Sequence, residues 1–208
     1  MSLTAFVDEL ASESPAPGGG SVAALCGSLS AALSAMVANL TFDKKGFEEK
    51  KAMMEGVGRD AQRLKQWLLQ TVDDDMLAFN RILDARRLAK GSESEKALRD
   101  AAILEANKAA TLTPLSVLQG GPVLLELASR VVEHGNPSSL SDGAVAALVA
   151  AAAAEGAYYN VLINLRDFGQ SASEQEFVTE TRAQADKLIG VVRDRSEEIK
   201  KMAMASLS

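Results

Sequence analysis

Residues 14–39 carry the sequence SPAPGGGSVAALCGSLSAALSAMVAN, in which a loop of prolines and glycines leads into a stretch without a charged residue. The prolines disfavour a helix in the loop, while Gly18, Gly19 and Gly20 let the main chain approach a ligand closely. Ser21 is a residue type that often caps a helix at its N-terminus. The segment therefore predicts a tight loop followed by a helix of small residues, on which we expect most of the chain to pack.

The residues of this helix divide into two faces at the spacing of an α-helix. Large apolar residues form one face and small or weakly polar residues form the other: Val22, Leu25, Leu29, Leu33, Met36 and Leu40 against Ser21, Ala24, Ser28, Ala31, Ala35 and Asn39. A membrane span is disfavoured because the small and hydroxyl-bearing residues make the stretch only weakly hydrophobic. A phosphate-binding loop is disfavoured too, since the glycines lack the Gly-Lys-Ser/Thr signature. The pattern favours a buried central helix whose small face a second helix or a flat ligand can approach.

The composition of the chain favours one helical domain. Its 208 residues are 47% hydrophobic but only 4% aromatic, which is typical of a core of Ala, Leu, Val and Met. The net charge of −6 argues against general nucleic-acid binding, because no basic field neutralises phosphates. The single cysteine, Cys26, precludes an internal disulfide and fits a reducing compartment. The N-terminal residues lack the basic start of a signal peptide, so we expect a cytoplasmic protein.

Helical periodicity continues from end to end of the sequence, without an alternating strand pattern, a repeat or a linker. The predicted helices span approximately residues 3–10, 21–39, 47–88, 92–118, 122–134, 143–167 and 171–204. Pro114 is expected to kink or break the fourth of these, and residues 120–122 to separate it from the fifth. The prediction is a single all-α domain over residues 1–208, an antiparallel bundle of long helices joined by short loops.

Asp75 lies where a core residue is expected, because Val72, Phe79 and Ile82 place it on the apolar stripe of the long helix. Carboxylates are rarely buried without a partner. Asp75 is therefore either half of a salt bridge to a neighbouring lysine or arginine, or a carboxyl group whose pKa is raised by burial. In the second case it can transfer protons near neutral pH.

Asn160 and Asn164 are one turn apart in the second helix of small residues. Two amides in such an apolar helix need hydrogen-bonding partners. Those partners are either groups on neighbouring helices or a heterocyclic ligand with donors and acceptors of its own.

The only histidine, His134, does not suggest a metal or a phosphotransfer site. It precedes Gly135 at the end of a predicted helix, where the helix dipole favours its cation. A phosphotransfer bundle needs an exposed histidine within a helix instead. With one histidine and one cysteine the usual ligands of zinc are lacking, and we expect no metal.

Four segments together resemble the cyclodeaminase/cyclohydrolase family, in order and over nearly the whole chain. They are Phe6-Val7 with APGGGSVAA (residues 16–24), Val72-Asp73-x-Asp75 with Ala78-Phe79, Gly135-Asn136 with Ser141-Asp142, and AYYNVLINL (residues 157–165). The family includes the C-terminal domain of formiminotransferase-cyclodeaminase and stand-alone bacterial methenyltetrahydrofolate cyclohydrolases. The resemblance implies an all-helical homodimeric enzyme that acts on one-carbon folates without a metal or another cofactor. The two helices of small residues, which exceed what one core needs, also favour a dimer.

The resemblance implies one of two reactions. In the cyclodeaminase reaction, N10 of 5-formiminotetrahydrofolate attacks the formimino carbon and ammonia leaves, which gives 5,10-methenyltetrahydrofolate. In the cyclohydrolase reaction, water adds to the methenyl carbon and the ring opens to 10-formyltetrahydrofolate. Both reactions need proton transfer beside a cationic amidine, which a carboxylate provides. The alternative is a non-catalytic helical module for dimerisation or interaction, which would bind no folate.

The resemblance also implies roles for particular residues. Asp75 is the expected acid and base, with Asp73 of the same segment in reserve. The turn formed by Gly18, Gly19, Gly20 and Ser21 would hold the pterin or close the pocket. The remaining expected substrate contacts are with the glutamate tail, from Lys44 and Lys45, and with the pterin or its loops, from Asn136, Asp142, Asn160 and Asn164.

Overall fold

Six α-helices account for most of residues 2–207, which are the residues that the computed structural model describes. The helices are α1 (Leu3–Leu10), α2 (Gly19–Phe42), α3 (Lys51–Arg87), α4 (Glu93–His134), α5 (Leu140–Asn164) and α6 (Ala172–Leu207). Short 3-10 turns lie at Glu48–Lys50, Pro137–Ser139 and Leu165–Asp167. No β-strand occurs within residues 2–207, and the prediction of an all-α bundle of long helices is confirmed.

The long helices alternate in direction around α4, which contacts each of the other four. Gly20 of α2 faces Asp75 of α3, and Asn39 at the other end of α2 faces Gly58, so α2 and α3 are antiparallel. The helix α5 lies on the opposite side of α2, and α6 packs on α4 and α5. As a result, α2 lies between α3 and α5 with α4 behind it.

The small face of α2 is the buried one. Ser21, Ala24 and Ala31 are fully buried, because small side chains let α3, α4 and α5 approach the α2 backbone closely. For example, an added Cβ on Gly156 of α5 would lie only 3.2 Å from the Cβ of Ala23. The large apolar residues of α2 consequently face away from α4 toward the surface.

Exposed apolar residues of α2 continue onto its neighbour α5. We call this surface the α2/α5 apolar face; its members are Leu29, Met36 and Leu40 of α2 and Val145, Leu148, Tyr159 and Ile163 of α5. Charged residues are absent from α2 altogether. An exposed apolar surface that extends over two adjacent helices is typical of an interaction site.

Three helical segments are by length and composition alone apolar enough to cross a membrane: Gly19–Phe42, Glu93–His134 and Pro137–Asp167. In the bundle, however, α3 and α6 pack beside these segments and expose charged residues along their length. A bilayer around the bundle would have to accommodate those charges at a high energetic cost. We therefore interpret the three segments as helices of the bundle core.

Two local predictions were wrong. Ser21 does not cap α2: the helix begins at Gly19 with Gly18 as its N-cap, because the Ser21 hydroxyl is engaged by a carboxylate of α3. The helix α4 also runs unbroken through Pro114 and Pro122. Each proline removes one hydrogen bond, but burial of α4 against four other helices outweighs that loss.

Candidate active site

A cavity of about 220 Å³ lies at the N-terminal end of α2. Pro15, Ala16 and the glycines before Ser21 line one side of it. Asp75 and Phe79 of α3 line a second side, and α5 closes the third. The cavity exists because α3 and α5 continue past the point where α2 begins, which leaves a gap between them.

Asp75 points its carboxylate at the first turn of α2. The Ser21 hydroxyl donates a hydrogen bond of 2.8 Å to its Oδ2. Burial raises the pKa of Asp75 above its usual value, while the hydrogen bonds from Ser21 act in the opposite direction. Among residues 2–207 no lysine, arginine or histidine forms an ion pair with Asp75. The structure therefore does not support the salt-bridge alternative for this carboxyl group.

Gly20 makes room for the Asp75 carboxylate. An added Cβ at this position would lie 2.2 Å from Oδ1 and 2.7 Å from Cγ of Asp75. No side chain fits there without displacing the carboxylate, so glycine is required by close approach. The glycine before it plays a similar part toward α5, since a Cβ on Gly19 would lie 3.2 Å from Nδ2 of Asn160.

Asn160 and Asn164 line the cavity opposite Asp75. Asn160 donates its amide to the carbonyl of Gly156 at 2.8 Å, and Asn164 donates to the carbonyl of Ala110 on α4 at 2.7 Å. Both amides are thus fixed in orientation by the main chain. Within residues 2–207 neither Oδ1 accepts a hydrogen bond, so both oxygens remain free to accept from a ligand.

Asp73 is not part of this cavity. It is exposed and lines a separate cleft of about 350 Å³ between α1, α2 and α3, beside Phe6, Leu25 and Met76. Asp73 lies two positions before Asp75 in the helix, and that spacing turns it toward a different face.

The other predicted substrate residues lie at the opposite end of α2. Lys44 donates to Oδ1 of Asn136 at 2.5 Å, and Asn136 also binds Thr41 through its main-chain N–H. Lys45 is exposed nearby, and Asp142 lies in the first turn of α5. The 24 residues of α2 separate this group from Asp75 by about 35 Å at 1.5 Å per residue. Within one chain the structure does not bring Lys44, Lys45, Asn136 or Asp142 to the cavity.

We use the name trough for the cavity together with its extension between α3 and residues 165–167, where Arg86 and Asp167 lie about one turn beyond Ile82 and Asn164, which line the cavity. Ala110 of α4 also lines the cavity. Arg86 and Asp167 approach each other across the outer end, with Nη2 3.8 Å from Oδ2. This pair is not among the residues predicted above, although Arg86 follows Asp75, Phe79 and Ile82 at the spacing of one helix face.

The expectation of a metal-free site stays a prediction. Across residues 2–207 no three His, Cys, Asp or Glu side chains come close enough together to hold a metal ion. Among the described residues that line the cavity, the polar side chains are one carboxylate and two amides, which can bind a heterocycle through hydrogen bonds.

Comparison with known proteins gave consistent matches. The sequence profile of the formiminotransferase-cyclodeaminase family matches residues 2–187. A methenyltetrahydrofolate cyclohydrolase of Methylorubrum extorquens is 38% identical over 178 residues, which cover 86% of each chain. The formimidoyltransferase-cyclodeaminase of Gallus gallus is 35% identical over 90% of this chain, which spans 34% of that protein's length.

A solved structure is similar over the whole fold. It is the formiminotetrahydrofolate cyclodeaminase of Thermotoga maritima, with a TM-score of 0.83 and 28% sequence identity. The match covers 100% of this chain and 98% of the other.

Proposed function

The chain belongs to the formiminotransferase-cyclodeaminase family, and on that premise we propose that it catalyses the formation or opening of the imidazolinium ring of 5,10-methenyltetrahydrofolate. Methenyltetrahydrofolate cyclohydrolase is the first candidate activity, because the Methylorubrum extorquens relative matches 86% of both chains. Formiminotetrahydrofolate cyclodeaminase is the second, because the Thermotoga maritima structure matches the fold end to end. Relatives that are enzymes disfavour a non-catalytic interaction module.

One observation carries the proposal: a partly buried carboxyl group without a cationic partner in residues 2–207 faces a cavity beside two fixed amides. A general acid or base works best when its pKa lies near the working pH. Burial raises the pKa of Asp75 and so shifts it toward neutral pH. The ionised form also stabilises positive charge on the bound amidine.

In the cyclohydrolase reaction, Asp75 takes a proton from the water that adds to the methenyl carbon. The cationic substrate thereby becomes a neutral adduct with a hydroxyl group on the carbon that joins N5 and N10. Asp75 then gives its proton to N5 as the bond between that carbon and N5 breaks. The hydroxyl proton is released as the carbonyl forms, and the formyl group remains on N10.

In the cyclodeaminase reaction, the same carboxyl group serves a different pair of atoms. N10 attacks the protonated formimino carbon and passes its proton to Asp75. Asp75 returns a proton to the amino group, which leaves as ammonia, and the methenyl cation forms. The same position of one carboxyl group beside the bridging carbon thus serves both reactions.

The remaining cavity residues have binding roles in this proposal. Asn160 and Asn164 accept hydrogen bonds from the pterin through their free Oδ1 atoms, and Ser21 orients Asp75. The loop that ends at Gly18 covers the ligand. The reaction requires no metal or further cofactor in this scheme, and the folate itself is the substrate. Asp73 takes no part, because it faces another cleft.

An absorbance assay tests the function. We expect the purified protein to consume 5,10-methenyltetrahydrofolate by hydrolysis above the uncatalysed rate, and to form it from the 5-formimino compound more slowly. Ammonia release in the second assay distinguishes cyclodeaminase chemistry from hydrolysis. A folded protein that accelerates neither reaction would refute the proposal.

We also propose that the protein is a cytoplasmic homodimer that associates through the α2/α5 apolar face. This face is apolar along α2 and includes Leu29, which is 49% exposed in the single chain, and Ile163 of α5, which is 51% exposed. A second copy related by a two-fold axis would cover the same residues on both chains.

Leu29→Glu is expected to convert the dimer into a monomer, because two charges would be buried in a symmetric interface. Light scattering at micromolar concentration measures the mass, and circular dichroism checks that the helices remain. Leu98→Glu is the matched control, since Leu98 is exposed on α4, outside this face. A wild-type monomer, or a Leu29→Glu dimer, would contradict this interface.

A further inference from the structure

Arg86 stands on the face of α3 that forms the cavity. It follows Asp75, Phe79 and Ile82 at intervals of four, three and four residues, which keep all four on one side of a helix. Asp75, Phe79 and Ile82 line the cavity itself. Arg86 therefore lies further along the same wall of the trough, at its outer end.

The guanidinium of Arg86 is held loosely, while its main chain is anchored. Its one charged contact within residues 2–207 is with Asp167 at 3.8 Å, and both side chains are about half exposed. Such pairs contribute little to stability. By contrast, the Arg86 carbonyl accepts from Nε of Arg99 at 3.2 Å, and the Asp167 carbonyl accepts from Asn107 at 3.3 Å. The main chains of Arg86 and Asp167 are thus fixed on opposite sides of the trough. The guanidinium of Arg86 can exchange the Asp167 carboxylate for another anion.

The charge and the length of a folate fit this arrangement. Its p-aminobenzoyl group ends in glutamate carboxylates, and no lysine or arginine lines the cavity in the described residues 2–207. Arg86 lies 11 residues beyond Asp75, or about 16 Å along the helix. An extended p-aminobenzoylglutamate spans that distance together with the reach of an arginine side chain, whereas Lys44 and Lys45 of the same chain lie about twice as far away.

We propose that Arg86 binds a glutamate carboxylate of the folate tail and gives up Asp167 in exchange. This inference rests on the function proposed above. Arginine suits the role because its planar guanidinium binds a carboxylate through two parallel hydrogen bonds. Asp167 holds the guanidinium over the trough until the ligand displaces it.

The test compares two substrates that differ only in the tail: 5,10-methenyltetrahydrofolate and 5,10-methenyltetrahydropteroate, which lacks the glutamate. Arg86→Ala is expected to raise KM for the folate about tenfold and to leave kcat nearly unchanged. The contact is remote from the reacting carbon, so its loss weakens the bound substrate and the transition state equally. KM for the pteroate should not change. Arg87→Ala is the matched control, since Arg87 is a neighbouring exposed arginine paired with Asp84.

A second variant is expected to change KM for the folate in the opposite direction. Asp167→Asn removes the competing carboxylate while keeping the shape of the side chain, so KM for the folate should fall relative to wild type. A gain of affinity cannot result from misfolding. The gain should disappear in the Arg86→Ala background, because it depends on the freed guanidinium.

Three results would overturn the inference. Equal effects of Arg86→Ala on both substrates would show that Arg86 does not contact the glutamate. A loss confined to the folate in Lys44→Ala/Lys45→Ala, with Arg86→Ala like wild type, would place the tail near the lysines of a second copy. A wild-type protein that turns over neither substrate would instead refute the proposed function, and this inference with it.

Discussion

Asp75→Asn is expected to lower turnover of 5,10-methenyltetrahydrofolate by roughly 10²–10⁴ while folate binding is largely retained. The amide keeps the size of the side chain and an oxygen that can accept the hydrogen bond from Ser21. It cannot take up and return a proton, and it carries no charge to stabilise the cationic amidine. Steady-state kinetics give turnover, and a separate titration with a folate gives the dissociation constant.

Thermal stability of the same variant provides an independent check. Burial raises the pKa of Asp75 in the folded protein. The contribution of this carboxyl group to folding stability is therefore fully present at a pH below its pKa in the unfolded chain, and it is lost as the pH rises through the higher pKa of the folded protein. Asparagine does not ionise. The variant should therefore melt at the same or a higher temperature than wild type at pH 7, and the difference should vanish toward pH 4.

Either of two outcomes would contradict this role for Asp75. Near-normal turnover of Asp75→Asn would show that Asp75 does not transfer the proton. A melting temperature several degrees below wild type at pH 7, with turnover per folded molecule preserved, would indicate a carboxylate paired with a cation in the assembled protein.

Gly20→Ala is expected to abolish most activity, by about 10² or more, since effects of this size follow from small displacements of reacting groups. The added methyl group would lie 2.2 Å from Oδ1 of Asp75, so the carboxylate must move away from its position beside Ser21. Kinetics with 5,10-methenyltetrahydrofolate measure the loss. Gly56→Ala is the control: it is also a helical glycine, has nothing within 4 Å of an added Cβ, and should keep full activity.

A double variant distinguishes a displaced carboxylate from general damage. If Gly20 acts through Asp75, then Gly20→Ala should cost little further turnover in the Asp75→Asn background, because the two changes remove the same function. Additive losses would mean that the methyl group also disturbs the substrate or the start of α2. Full activity of Gly20→Ala would show that the close approach of Gly20 to the Asp75 carboxylate is not needed for catalysis.

Local sequence patterns were sufficient for the class of fold and for several helix ends. Ser2 caps α1, and Ser92 with Glu95 forms the capping box of α4, close to where the helical pattern places the start of each helix. These features involve residues within one turn of each other, so their energetics do not depend on the rest of the chain. The position of Asp75 on an apolar stripe was equally visible, because one helix defines its own faces.

The two wrong predictions, the Ser21 cap and the break of α4 at its prolines, both concern residues whose structure depends on contacts with distant parts of the chain. The Ser21 hydroxyl is drawn from a capping role to Asp75, a residue 54 positions away. The helix α4 passes through two prolines because four neighbouring helices bury it. Neither outcome follows from the residues around Ser21 or Pro114 alone, since tertiary packing outweighs local preferences of a few kcal/mol.

The residue types that the protein brings to a site can be read from local sequence patterns: a carboxylate on an apolar stripe, a glycine-rich turn and two amides one turn apart. Which of them meet depends on how the helices pack. Asp75, Gly20, Asn160 and Asn164 converge because α3 and α5 both run past the start of α2, whereas Lys44 is carried away by the full length of the same helix. A rigid helix fixes separations along its axis at about 1.5 Å per residue, but the neighbours at each end depend on how the helices pack.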